Sequence, residues 1–200
     1  MKRLFVTLLL SGVMMIPAMA ALKTGEQAPD FSAKASLAGK EFSFSLKDAL
    51  KKGPVVVYFY PSAFTGGCNI EAHTFAENKE KFDAAGATII GVSQDSITRL
   101  NAFSADPQYC AGKIAVASDA DGAIAKAYGL TKTDARAGMK DTRGVEIDHA
   151  FTERTTFIVT KDGKIAATLS SNDDKISPAE HVEKSLAAVK QATGGKPGAH

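Results

Sequence analysis

The chain has 200 residues, of which 44% are apolar and 8% aromatic, with two cysteines and a formal charge of +2. Those figures fit an ordinary globular protein and exclude a collagen-like, low-complexity or disulfide-framework chain. With 24 basic and 22 acidic residues, there is no charge excess to attract nucleic acid or anionic lipid.

At the N-terminus, Lys2 and Arg3 precede an apolar run from Leu4 to Ile16 and then Pro17-Ala18-Met19-Ala20. These are the three parts of a secretory signal, with cleavage expected after Ala20. The apolar run is short for a bilayer span, so no membrane association is expected once the signal is removed. Residues 1–20 are therefore set apart, and residues 21–200 are expected to form one domain that is periplasmic or otherwise exported. Losing Lys2 and Arg3 takes the basic count from 24 to 22, which equals the acidic count.

Ala28-Pro29-Asp30-Phe31 opens a segment in which Phe31 to Leu37 and Glu41 to Leu46 flank Ala38-Gly39-Lys40, the pattern of a hairpin. Val55 to Tyr60 is a continuous β-branched and aromatic run, as expected of a strand covered on both faces, and Pro61 ends it. From Cys68 to Ala85 apolar residues recur at helical spacing. Ala87 to Ser93 reads as a second buried strand, and Asp95 to Phe103 as a helix capped by Ser96 or Asp95. Ile114 to Ala117 is a short strand, Asp121 to Tyr128 a helix closed by Gly129, and Thr155 to Thr160 a strand joined through Lys161-Asp162-Gly163 to Lys164–Leu169. Pro178 to Ala192 is the last helix, Thr131 to Glu153 a long charged loop, and Gly194 to His200 a frayed tail. The expectation is an α/β fold: a central mixed sheet flanked by helices on both faces, with an N-terminal β-hairpin.

Pro61-Ser62-Ala63-Phe64-Thr65-Gly66-Gly67-Cys68 runs directly from a buried strand into a helix and puts Cys68 in its first turn. Unpaired N–H groups and the positive end of the helix dipole favour an anion there, so the sulfur is stabilised as a thiolate. A thiolate attacks a peroxide far better than a thiol does, and the product is a sulfenic acid.

Pro61, Thr65 and Cys68 match the peroxiredoxin pattern of Pro, three residues, Thr, two residues, Cys. Phe59-Tyr60-Pro61, Glu71-Ala72, Ser118-Asp119 to Tyr128-Gly129 and Arg154-Thr155-Thr156-Phe157-Ile158-Val159 also resemble the bacterioferritin-comigratory or Q-type branch, so the likeness runs from about Ala28 to Leu169. The resemblance implies a thioredoxin-like fold and a thiol peroxidase that uses no cofactor beyond its own sulfurs. It gives Cys68 as the peroxidatic nucleophile, Thr65 as the hydroxyl bonding substrate and thiolate, Pro61 as the shield of the pocket, and Arg154 as the guanidinium beside the sulfur.

Five residues after Cys68, where many Q-type members carry the resolving cysteine, stands His73, and Gly66 replaces a common Pro, which softens the loop. Cys110, within Gln108-Tyr109-Cys110-Ala111-Gly112-Lys113 at the end of the predicted helix, resembles members whose resolving cysteine sits there, and the likeness implies that role for it. The implied partners are a hydroperoxide and an exported thioredoxin-like reductant, and the Q-type resemblance leans towards a monomer with a dimer open.

On cysteine count alone, a permanent structural disulfide is the commoner use of two cysteines in an exported protein; Thr65 and Arg154 together with Cys68 outweigh it. A thiol:disulfide oxidoreductase usually carries Cys-x-x-Cys, but the residue three after Cys68 is Glu71. A redox-responsive binding or chaperone protein on the same fold is the non-enzymatic alternative. His73, His149, His181 and His200 do not cluster at ligand spacing, so no metal is expected.

Overall fold

The computed structural model describes residues 20–194, so all of the expected signal except Ala20 and all of the expected tail except Gly194 lie outside the described residues. The chain opens with a hairpin of β1 (Ser32–Leu37) and β2 (Lys40–Ser45). Its turn residues Ala38 and Gly39 both have positive φ, 52° and 76°, the geometry that matches the right-handed twist of paired strands. A short helix α1 (Leu46–Leu50) follows, unexpected from the sequence, because one and a half turns are too brief to show a period. Ser45 caps it by accepting from the Asp48 N–H.

The elements that follow are β3 (Val55–Phe59), α2 (Gly66–Ala84), β4 (Thr88–Ser93), α3 (Ile97–Ala105), β5 (Ala115–Ser118) and α4 (Ala123–Ala127). After them come β6 (Lys132–Thr133), β7 (Phe151–Thr152), β8 (Thr155–Val159), β9 (Ile165–Ser170) and α5 (Pro178–Ala192). Seven strands form one sheet in the order β2-β1-β5-β4-β3-β8-β9. β3, β4 and β5 run parallel, and β8 lies antiparallel to β3. The expected mixed sheet, hairpin and β8–β9 pair are all present.

The unbroken apolar character of β3 follows from this placement. Val56 and Tyr58 point into a core shared with α2, α3 and α5, while Val55, Val57 and Phe59 point into a second core against α1 and α4. Because both faces of the strand are buried, its sequence has no polar alternation. The strand's end is thereby fixed in depth, and the turn that leaves it starts from a rigid base.

Two expectations need correction. The segment from Thr131 to Glu153 is not wholly loop: β6 and β7 pair within it, and Lys140 bridges Glu146. Two-residue strands are too short to leave a periodic trace. Cys110 does not lie at the end of a helix either, since α3 stops at Ala105 and residues 107–113 form consecutive turns, with Ala111 and Gly112 at φ 53° and 67°.

Gly91 of β4 lies opposite Tyr58 of β3, and a Cβ there would come within 2.5 Å of Tyr58 Cζ. Tyr58 has nowhere to retreat, because its ring packs 4.6 Å from Phe75 and 5.5 Å from Tyr60 between centroids. Gly91→Ala is therefore expected to lower stability by about 1–3 kcal/mol, read as a lower guanidinium midpoint with an unchanged slope.

Candidate active site

The site grows from the turn between β3 and α2. Thr65 is the N-cap of α2 with extended φ and ψ, but its hydroxyl donates to the Ser62 carbonyl at 2.7 Å instead of capping the helix. The first-turn N–H groups thus receive no side-chain acceptor from Thr65 and face the same end of the helix as Cys68, its third residue. Pro61 is partly buried at the start of the turn and Cys68 is almost fully buried.

Arg154, just before β8, closes the site from the other side. Its Nη2 donates to Cys68 Sγ at 3.1 Å, and its Nη1 donates to Glu71 Oε2, one turn further along α2. Burial works against the guanidinium charge, but Glu71 and Cys68 outweigh it, so Arg154 is held even more firmly charged than usual. Burial pushes the Glu71 carboxyl up to about 7, with Arg154 pulling the other way. Pro61, Thr65, Cys68 and Arg154, picked out from the sequence, thus converge on one site.

Space for the guanidinium is made at Gly67, where a Cβ would lie 3.2 Å from Arg154 Nη2 and 3.3 Å from Pro178 Cγ. Behind Arg154, its carbonyl accepts from the Ser171 N–H at 3.1 Å. His181 of α5 lies between Ser171 Oγ and Thr156 Oγ1, at 2.9 and 3.0 Å. Burial, and then the charge of Arg154, push His181 down to about 4, so α5 braces β8 with a neutral ring.

The turn itself is held by residues that sequence reasoning did not assign to the site. Asp95 accepts from the Ala63 N–H at 2.8 Å and from the Ser62 and Ser93 hydroxyls at 3.1 and 2.7 Å, and His149 Nε2 lies 2.8 Å from its Oδ1. Phe64 adopts a left-handed φ of 61°, which costs a non-glycine residue about 1–2 kcal/mol. Its carbonyl accepts from both the N–H and the hydroxyl of Thr142 at 2.9 Å, and Arg143 stacks 3.2 Å over its ring. Asp141, nearly buried, ties Arg143 to Arg99, whose Nη2 also donates to the Ala63 carbonyl at 3.0 Å.

Cys110 is fully buried and, like Cys68, a free thiol. Burial, and then the nearby Asp106, push its thiol well above the usual range. Both cysteines belong to the core between the sheet and α2, α3 and α5. Tyr109 packs against Phe103 and against Phe64, at centroid distances of 5.7 and 5.8 Å, so an aromatic wall joins the Cys110 segment to the Cys68 turn. His73 stands exposed on α2 beside Glu77.

The AhpC/TSA family matches residues 24–168 of the chain, which is most of its length. The chain belongs to that family. A peroxiredoxin Bcp of Xanthomonas campestris is 32% identical over 136 residues, covering 68% of this chain and 76% of its own length. Among solved structures, the peroxidoxin BcpB of Mycobacterium tuberculosis superposes with a TM-score of 0.69 at 28% identity, covering 85% of this chain and 97% of its own. Peroxiredoxin Q of Xanthomonas campestris does so with a TM-score of 0.61 at 29% identity, covering 80% and 90%. This peroxiredoxin is thus of the bacterioferritin-comigratory or Q-type branch, has a thioredoxin-like fold and is a thiol-dependent peroxidase.

Gly67→Ala separates stability from chemistry. Alanine favours the helix by about 1 kcal/mol, while its methyl presses on Arg154, which Cys68 and Glu71 already pin. The expected result is an unchanged or raised melting temperature together with roughly tenfold slower alkylation of Cys68 by iodoacetamide, followed by peptide mass analysis, since small misplacements of a contact to a reacting sulfur are costly.

Proposed function

We propose that Cys68 is the peroxidatic cysteine and that Cys110 resolves it, in an exported enzyme acting on hydroperoxides. The observation that carries the proposal is the Arg154 guanidinium at 3.1 Å from Cys68 Sγ at the start of α2. A fixed positive charge and the helix N-terminus together favour the thiolate and stabilise the charge that develops on the departing oxygen.

In the first step the Cys68 thiolate attacks the terminal oxygen of the hydroperoxide, the S–O bond forms as the O–O bond breaks, and the leaving oxygen takes a proton to become water or an alcohol. Thr65 orients the substrate, its hydroxyl oxygen able to accept from the peroxide while its proton goes to Ser62. Pro61 limits access of water to the sulfenic acid. In the second step the Cys110 sulfur attacks the Cys68 sulfenic acid, the S–S bond forms and water leaves.

The resting structure keeps Cys110 buried, while a disulfide requires Cα atoms within about 7 Å and free Cβ vectors. In this reading the first turn of α2 and the turns of residues 107–113 unwind in each cycle to bring the two buried sulfurs together, and Tyr109 leaves the ring of Phe64. An outside dithiol then reduces the disulfide. Lys2, Arg3 and the apolar run to Ile16 argue for export to the periplasm, so the reductant is read as an exported thioredoxin-like protein, and the Q-type likeness favours a monomer.

Peroxide consumption with dithiothreitol by residues 21–200 tests these roles. Cys68→Ser is expected to be inactive, the wild type to form an internal disulfide after one peroxide equivalent, and Cys110→Ser to accumulate the sulfenic acid. Full activity in Cys68→Ser would overturn the mechanism, and an unchanged Cys110→Ser with no wild-type disulfide would remove Cys110 from it.

A further inference from the structure

The polar cluster that holds the Cys68 turn contains a titratable group on the long segment before β8. His149 Nε2 is 2.8 Å from Asp95 Oδ1, and its Nδ1 is 2.9 Å from the Ala150 carbonyl oxygen. Both neighbours are pure acceptors when Asp95 is ionised. A neutral imidazole has one N–H and can serve only one of them, whereas the imidazolium serves both. The geometry therefore selects the charged ring.

The groups packed around His149 agree with that assignment. Asp95 and Arg99 face it from the β4–α3 segment, and the Ser62 hydroxyl faces it from the turn after β3, at 3.2 Å from Nε2. Asp141 and Arg143, on its own segment, reach it only through Arg99. Burial opposes charging the ring, but the Asp95 carboxylate and the Ala150 carbonyl outweigh it and Arg99 pushes back only weakly, so His149 is raised above the ordinary histidine value. Burial likewise opposes the Asp95 charge, and His149, Ser93 and the Ala63 N–H more than compensate, so Asp95 is lowered.

We propose that His149 is a positioning residue for the Cys68 turn: its imidazolium clamps Asp95, and through Asp95 the Ser62 hydroxyl and the Ala63 N–H, so that the clamp is closed in acid and opens as His149 loses its proton. The inference rests on the reading of Cys68 as the peroxidatic cysteine. Asp95 grips the turn three and two residues before Thr65, the N-cap that sets where α2 begins. When the ring is neutral, its single N–H is divided between Asp95 and the Ala150 carbonyl and the bond to Asp95 loses its charge, so Arg99 Nε, 2.8 Å from the same oxygen, is the one cation left on Asp95 and the Thr65–Cys68 stretch is held less tightly against Arg154. The sign follows from the raised value: the contribution is complete below the ordinary histidine range and disappears as pH rises through the value of the folded protein.

The test compares wild type with His149→Gln from pH 5.5 to 9, measuring the second-order rate of Cys68 oxidation by hydrogen peroxide in single turnover. Taking the ratio of the two rates at each pH isolates what the substitution itself changes. The expected ratio is about tenfold at pH 5.5–6, the scale of one charge-assisted hydrogen bond, and falls towards one by pH 9. The same substitution at exposed His73 should leave the profile unchanged. A ratio of one throughout, or a ratio independent of pH, overturns the proposal; the latter would mean a structural role without the switch.

Hydrogen–deuterium exchange of the peptide spanning residues 61–68 keeps the proposal separate from the peroxidase reading. Exchange should be faster in His149→Gln than in wild type at pH 6 and equal at pH 9. Were the wild type inert towards peroxide, the peroxidase reading would fail, while this exchange pattern would still support the clamp. Equal exchange at both pH values would sink the clamp whatever the activity. The ring titration of His149 by NMR, which needs no variant, must lie above the ordinary histidine value; a depressed value also overturns the proposal.

Discussion

The single contact on which the site turns is the Arg154 guanidinium, held between Cys68 Sγ and the buried carboxylate of Glu71. An arginine this deep is costly unless its donors are occupied, and here one nitrogen faces each acceptor. Much of the surrounding architecture serves that arrangement. β8 lies beside β3 so that Arg154 stands at the start of one strand where the turn leaves the end of the other. Gly67 leaves room for the guanidinium, and His181 braces the backbone behind it with a neutral ring. Because the groups are fixed before peroxide arrives, little reorganisation remains for the reaction itself to accomplish.

Resolution by Cys110, as proposed, requires the same turn to come apart. Phe64 sits in a left-handed conformation that its side chain disfavours, yet its ring is gripped by Arg143 and Phe103, and its carbonyl by Thr142. A turn that is strained locally and held by neighbours can be released when those neighbours shift. Tyr109, next to Cys110, completes the Phe64–Phe103–Tyr109 wall, so in the proposed cycle opening that wall loosens the Cys68 turn and the Cys110 segment together. Packing between aromatic rings is worth about 0.5–1.5 kcal/mol per pair beyond burial, a scale that permits opening without global unfolding.

What could be read from the sequence was what is encoded locally. The apolar run of β3 and the first-turn cysteine are joined by one short turn, and the physics of a helix N-terminus follows from adjacency alone. Arg154 is 86 residues from Cys68 and emerged only through resemblance, since a lone arginine before a strand looks like any solvated charge. The Asp95–His149 pair spans 54 residues and the Arg99–Asp141 pair 42, and both end in the stretch without periodicity. No local pattern marks such pairs. The placement of Cys110 at the end of a helix is different, because Pro107 follows Asp106 directly and disfavours helical geometry there, a signal that the sequence itself carries.

The most direct test of the central claim is the second-order rate of Cys68 oxidation by hydrogen peroxide in Arg154→Lys and Arg154→Gln, each in a Cys110→Ser background so that only one thiol reports. Loss of one preorganised charged donor costs about 10²–10³ in rate, so Arg154→Gln is expected to fall by that much, with lysine restoring only part because it cannot fork between the sulfur and Glu71. Rates within a factor of about two of the parent in a folded Arg154→Gln protein would contradict the account, since a guanidinium supplying transition-state charge cannot be removed at so small a cost.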